Sequence, residues 1–116
     1  MNSVGIIGFG RFGRVLSNIL QKGFKIKAYD PNPIIEFPGV EFVDQKTILK
    51  EQVIFIAVPI SIFESVIRSI TPNLNSGTTI IDVCSVKKHP AEIMENHLEN
   101  NIGIIATHPM FGPDSF

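Results

Sequence analysis

The sequence predicts an α/β protein built on a doubly wound parallel sheet, with helices, sheet and helices in three layers. Three observations carry this. Apolar runs of strand length alternate with stretches of helical periodicity along all 116 residues. The inner runs, "VIFIAVP" at 53–59 and "TTIIDV" at 78–83, are apolar throughout, as in strands covered on both faces. The strand runs also end in Gly8, Asp30, Pro59, Asp82 and His108. Right-handed crossovers would bring all five to the one sheet edge where open α/β sheets hold their ligands.

Taken in order, Ser3–Ile7 is a short apolar strand closed by glycine. Arg11 to Lys22 places Phe12, Val15, Leu16, Ile19 and Leu20 at the spacing of an amphipathic helix, with Gly23 as its C-terminal stop. "KIKAYD" at 25–30 reads as a second strand, and the Pro-Asn-Pro at 31–33 forbids helix after it. Val40–Val43 is a third strand, followed by a short helix near Gln45–Lys50. After the strand at 53–59, Ser61–Thr71 carries Ile62, Phe63, Val66, Ile67 and Ile70 on one helical face. The strand at 78–83 leads to a helix from Lys88 to Asn100 with Ile93, Met94 and His97, and "GIIAT" at 103–107 is the last strand. The chain has no internal repeat, low-complexity tract or linker, so it reads as one domain.

Composition narrows the functional classes. With 44% hydrophobic and 18% charged residues, the chain belongs with globular rather than disordered sequences. Ten basic against eleven acidic residues leave a net charge of -1, so no basic excess points to nucleic acid. Cys84 is the single cysteine, which rules out an internal disulfide and suits a reducing compartment. No apolar run approaches the roughly 18 residues of a membrane span, and "MNSVGIIGFG" carries no basic segment before its apolar stretch. The expectation is a cytoplasmic protein with no membrane partner. Three scattered histidines and one cysteine have no metal-ligand spacing, so no metal site is expected.

"IIGFGRFGRVL" sets Gly8, Gly10 and Gly13 in G-x-G-x-x-G spacing after a strand and at the start of a helix. Asp30 follows seventeen residues past the last of these glycines, at the end of the next strand. That context is the Rossmann-type dinucleotide fingerprint. Gly8 permits the tight turn, Gly10 lets the backbone approach a pyrophosphate, and Gly13 lets the helix pack against the sheet. The amides around Gly8, Phe9, Gly10, Arg11, Phe12 and Gly13 would then face the anion at the helix N-terminus. The Asp30 carboxylate can accept hydrogen bonds from ribose hydroxyls and would repel a 2′-phosphate. No arginine stands between Pro31 and Pro38 to receive one, so NAD is expected, with NADP disfavoured. Arg11 and Arg14 either touch phosphate or lie in solvent.

The other half of the predicted crevice is less distinctive. Ala57, Val58 and Pro59 either let a cofactor pass close to the backbone or form an ordinary strand-to-helix turn. Ser85 stands just past a buried strand, where it either serves the site or caps the next helix. Lys87 faces an anionic substrate or solvent, and Asp82 orients a partner or ends a strand. His89 reads as surface and His97 as structural. His108, fixed by Pro109 and Pro113 in a rigid turn, is placed to accept a proton at neutral pH.

"GFGRFG", "DVCSVK" and "THPMFGP", in this order, resemble the N-terminal domain of prephenate and arogenate dehydrogenases. The "SVK" and "HPMFGP" pieces are especially similar to the plant-type arogenate enzymes. The resemblance covers the whole chain and implies NAD(P)-dependent oxidative decarboxylation in tyrosine biosynthesis. It further implies that His108 draws the proton from the substrate's ring hydroxyl, that Ser85 helps to position hydroxyl and histidine, and that Asp114 lies near the substrate entrance. In many relatives that last position is Glu. Plant-type relatives mostly prefer NADP, whereas Asp30 argues for NAD here. The family's helical C-terminal domain, which dimerises and supplies a substrate-binding arginine, is not represented in these 116 residues. The expected partner is a small-molecule substrate, prephenate or arogenate; a homodimer stays open, since by the resemblance it is the other domain that makes it.

Two other readings fit part of the pattern. "IIGFGRFGRVL…AYD" is also similar to the nucleotide-sensing modules of potassium channels and transporters, which bind NAD or ATP without chemistry. A dinucleotide-binding pseudoenzyme would keep the same residues. Other β-hydroxyacid and imine dehydrogenases share such a domain but typically place a catalytic lysine in a later one.

Overall fold

The structure is a computed structural model, and it describes residues 2–32, 36–83 and 88–106. Its elements are β1 (Ser3–Ile7), α1 (Arg11–Leu20), β2 (Lys25–Tyr29), β3 (Val40–Phe42), α2 (Gln45–Ile48), β4 (Val53–Ile56), α3 (Ile60–Ile70), β5 (Thr79–Asp82), α4 (Lys88–His97) and β6 (Gly103–Ala106). A single 3₁₀ turn, Thr71–Asn73, follows α3. The six strands form one parallel sheet in the order β3-β2-β1-β4-β5-β6. This is the doubly wound Rossmann-type order, which reverses direction between β1 and β4.

Register explains why the strand ends converge. Tyr29, Ile7, Ile56, Asp82 and Ala106 are partners across five neighbouring strands. The residues that follow them, among them Gly8, Asp30 and Ala57, therefore leave the sheet along one edge.

Alternation along each strand divides the core into two layers. Val4, Ile6, Ile26 and Ala28 pack beneath α1 with Phe9 and Leu16. On the opposite face Ile7, Ile54, Ile56 and Ile80 meet Ile48 of α2, Phe63, Ile67 and Ile70 of α3, and Ile93 and Met94 of α4. All of these are below a tenth exposed, and burying such side chains supplies about 1.5–3 kcal/mol each.

Some boundaries depart from the sequence-based expectation. Helix α1 stops at Leu20, and Gly23 does not take the left-handed conformation of a glycine stop. The chain instead tightens, with Gly23 and Phe24 N–H both donating to Leu20 O at 3.0 and 2.9 Å. The cause is immediate pairing: Lys25 N–H must reach Asn2 O at 2.8 Å to start β2 beside β1. Helix α4 ends at His97 rather than Asn100. Ile62, assigned to the apolar face of α3, lies 43% exposed.

Candidate functional site

The turn after β1 is held by backbone bonds that only this order of glycines allows. Gly8 has φ of 94°, a left-handed value that glycine adopts without strain, and its N–H donates to Tyr29 O at 2.9 Å. A Cβ on Gly8 would come within 2.8 Å of the Ala57 carbonyl oxygen. One on Gly13 would approach the Gly8 carbonyl oxygen to 2.5 Å, so α1 can pack this close only with glycine there. A Cβ on Gly10 would meet nothing within 4 Å. Space is thus open above Gly10, at the N-terminus of α1, where the positive end of the helix dipole attracts an anion.

Asp30 is tied into the same turn. Its Oδ2 accepts from Phe9 N–H at 2.6 Å and its Oδ1 from Asn32 N–H at 2.8 Å. Each carboxylate oxygen keeps a further lone pair for a donor in the crevice. The carboxylate therefore does two jobs, fixing the glycine turn against the end of β2 and lining the open space beside it.

That space is a crevice of about 620 Å³ between the glycine turn, the end of β2 and the start of α3. Of the residues expected to bind a cofactor, Gly8, Gly10, Arg11, Phe12, Asp30, Ala57, Val58 and Pro59 line it. Two others stand behind its wall. Gly13 is buried against Gly8, and Phe9 turns its ring inward, 1% exposed and edge-on to Phe37 and Phe42 with centroids 5.1 Å apart. What Phe9 offers the site is backbone. Helix α3 begins at Ile60 behind Pro59, with no side-chain cap, so a second helix N-terminus opens on the crevice.

Several lining residues carry no motif: Tyr29, Asn32, Gln45, Ile62, Val66 and Ser69. The surplus isoleucine on α3 was their one trace in the sequence, since Ile62 widens the apolar stripe beyond what the sheet covers. Asp82 is fully buried at the end of β5. His97 Nε2 lies 3.0 Å from Glu64 Oε2, joining α4 to α3 away from the crevice. That bond, and then the nearby Arg68 guanidinium, hold the Glu64 carboxyl below its ordinary range. Ser85, Lys87, His108 and Asp114 lie outside the described residues. Among the described residues no group of three or more His, Cys, Asp and Glu gathers as metal ligands, and no helix is long and apolar enough to cross a membrane.

Sheet order, glycine turn and acid together define a nucleotide-binding domain of the doubly wound α/β class. Within that class the chain belongs to the prephenate dehydrogenase family: residues 35–115 match the family's nucleotide-binding domain. A probable arogenate/prephenate dehydrogenase of Methanocaldococcus jannaschii is 34% identical over 96% of this chain and 26% of its own length. Arogenate dehydrogenase 2, chloroplastic, of Arabidopsis thaliana is 33% identical over 97% of this chain and 34% of its own. The chain thus spans about a quarter to a third of the length of these two relatives. Among solved structures, prephenate dehydrogenase from A. aeolicus, in complex with hydroxyphenyl propionate and NAD+, has the same fold, with a TM-score of 0.79 and 22% identity over 95% of this chain and 42% of that one. Synechocystis arogenate dehydrogenase also scores 0.79, at 23% identity over 97% of this chain and 44% of that one. Family membership does not favour the channel-type nucleotide sensor.

Proposed function

We propose that the chain is the NAD-binding part of a dehydrogenase that oxidatively decarboxylates prephenate or arogenate in tyrosine biosynthesis. The observation that carries the cofactor half is the Asp30 carboxylate, held 2.6 Å from Phe9 N–H at the rim of an open glycine turn. A ribose bearing two hydroxyls can donate to that carboxylate, whereas a 2′-phosphate there would set anion against anion. The pyrophosphate would lie over Gly10 at the N-terminus of α1, and the far ribose would pass Ala57, Val58 and Pro59. The nicotinamide supplies a hydride acceptor when bound.

The remaining roles come from the family motif. His108 takes the proton of the ring hydroxyl, Ser85 holds that hydroxyl and the imidazole in register, and Asp114 stands near the substrate entrance; Lys87, read from its own position beside Ser85 rather than from the motif, faces the anionic substrate. Oxidation at the hydroxyl-bearing carbon lets the ring carboxylate leave as carbon dioxide, and aromatisation drives the step. A homodimer and a cytoplasmic location belong to the same proposal.

The test is a pair of variants with cofactor affinity and turnover measured side by side. Asp30→Ser should weaken NAD, because both the ribose acceptor and the brace on Phe9 are lost, and should move the NAD/NADP ratio of dissociation constants toward NADP. An unmoved ratio would remove Asp30 from the ribose site. His108→Ala should abolish oxidation of prephenate or arogenate with NAD affinity nearly unchanged, and loss of NAD binding instead would make His108 structural.

A further inference from the structure

The crevice continues past Asp30 to two polar side chains that the glycine fingerprint does not use, Gln45 and Ser69. Gln45 is the first residue of α2, whose start is fixed by its N-cap: Asp44 Oδ1 accepts from Thr47 N–H at 2.8 Å. Ser69 lies near the end of α3. The Ser69 hydroxyl has one hydrogen, and it is donated to Val66 O at 2.9 Å. Toward Gln45 the same oxygen can therefore only accept, and Gln45 Nε2 donates to it at 3.4 Å. This chain of bonds decides which way the amide is turned. Nε2 faces Ser69, and Oε1 is left as the edge that Gln45 can offer a ligand.

The walls at this end are apolar and come from separate elements. Tyr29 closes β2, while Ile62, Val66 and Ile70 form one stripe of α3. Ile62 is 43% exposed, an apolar cost that a flat ring lying against it would relieve. A slot with greasy walls and one acceptor at its end suits a planar base that carries an N–H donor on its rim.

We propose that this end of the crevice takes the purine of the dinucleotide and that Gln45 Oε1 reads its exocyclic amino group, with Ser69 as the residue that positions the amide. The proposal rests on the dinucleotide-binding reading above. A 6-amino purine presents N–H to Oε1. A 6-oxo purine presents oxygen to oxygen, and bringing its ring N–H to Oε1 instead requires the base to shift along the slot. Turning the amide around is disfavoured, because Ser69 would have to withdraw its one hydrogen from Val66 O to donate it to Oε1. The residue is thus a selector for adenine over hypoxanthine.

Calorimetric titration of the chain with NAD and with nicotinamide hypoxanthine dinucleotide tests this directly. The unaltered chain should prefer NAD by about tenfold, the worth of one good hydrogen bond. Gln45→Ala should bring the two dissociation constants within about twofold of each other. Ser69→Ala should also shrink the ratio, by raising the affinity for the 6-oxo analogue, and Ser69→Thr, which keeps a hydroxyl, should restore it. A purely structural role for Ser69 would lower both affinities alike and leave the ratio in place. Equal affinities in the unaltered chain, or a ratio untouched by Gln45→Ala, would overturn the proposal while leaving dinucleotide binding intact. Failure of the unaltered chain to bind either compound would overturn the dinucleotide reading and this one together.

Discussion

The two faces of the sheet carry nearly the same residues and are covered very differently. On the face that meets α3 and α4, Ile54, Ile56 and Ile80 are completely buried. On the other, α1 packs over β1 and β2, so Val4, Ile6 and Ile26 are sealed. Beyond them Val53, Phe55 and Ile81 are half-buried, and Ile105 is 46% exposed. Val53, Phe55 and Ile81 pack at the margin of the cluster beneath α1 rather than inside it. The difference teaches that an apolar strand run states what a strand requires, while the helix supply decides what it receives. "VIFI" is apolar at every position, yet Ile56 is fully buried and Phe55 only half-buried.

The largest effect should come from testing that contrast by truncation. Ile56→Ala, inside the closed layer, should cost about 2–5 kcal/mol in urea unfolding. Ile105→Ala on the open face should stay within about 0.5 kcal/mol. Similar losses at the two positions would mean that both faces are sealed alike.

Next in size is the glycine turn, the part of the α1 face that is finished. Gly13→Ala forces a methyl group toward the Gly8 oxygen and should cost about 1–3 kcal/mol, taking NAD binding with it. Gly10→Ala meets open space in the free chain, so its melting temperature should hardly move while NAD affinity falls at least tenfold, if the pyrophosphate lies over it. A stability loss at Gly10 equal to that at Gly13 would reduce all three glycines to packing.

The smallest effect belongs to the helix pair of the closed face. Glu64, bonded to His97 across α3 and α4, has its folded carboxyl held down by that bond and then by Arg68. A lowered folded value means that the stabilisation is fully present above the ordinary 4.5 of the unfolded group and is lost as pH falls through the lower folded value. Glu64→Gln should lower stability slightly at neutral pH, where the carboxylate bond is present, and the two chains should converge as pH falls below the folded value; the difference is small, since the pair is exposed. An acid limb identical to that of the unaltered chain would remove the pair from the acid response.

Most of the fold was legible because each βαβ unit writes its own periodicity. The strands begin where the apolar runs begin, and Gly8, Gly10, Gly13 and Asp30 marked the turn because their roles depend on close spacing along the chain. Helix rotation was not legible. The 3.6-residue pattern shows that α3 has an apolar side, but only packing shows that Phe63 and Ile67 face the sheet and Ile62 faces the crevice. Gln45 and Ser69 were invisible for a related reason: they meet through two helices with a strand between them, and neither belongs to a motif. The inward turn of the Phe9 ring was not legible either, because a loop has no alternation to say which way a ring turns.

The strand order also has a consequence in time. Strand β1 pairs with β2 on one edge and with β4 on the other, and the last pair in that second ladder, Ile7 with Ile56, joins strands far apart in the chain. At about 5–20 residues per second of synthesis, β1 waits on the order of seconds with one edge bare before β4 exists to close it. During that interval α1, β2, β3 and α2 are what can cover the apolar residues of β1. The short stretch that builds the glycine turn therefore holds its place half paired until β4 arrives.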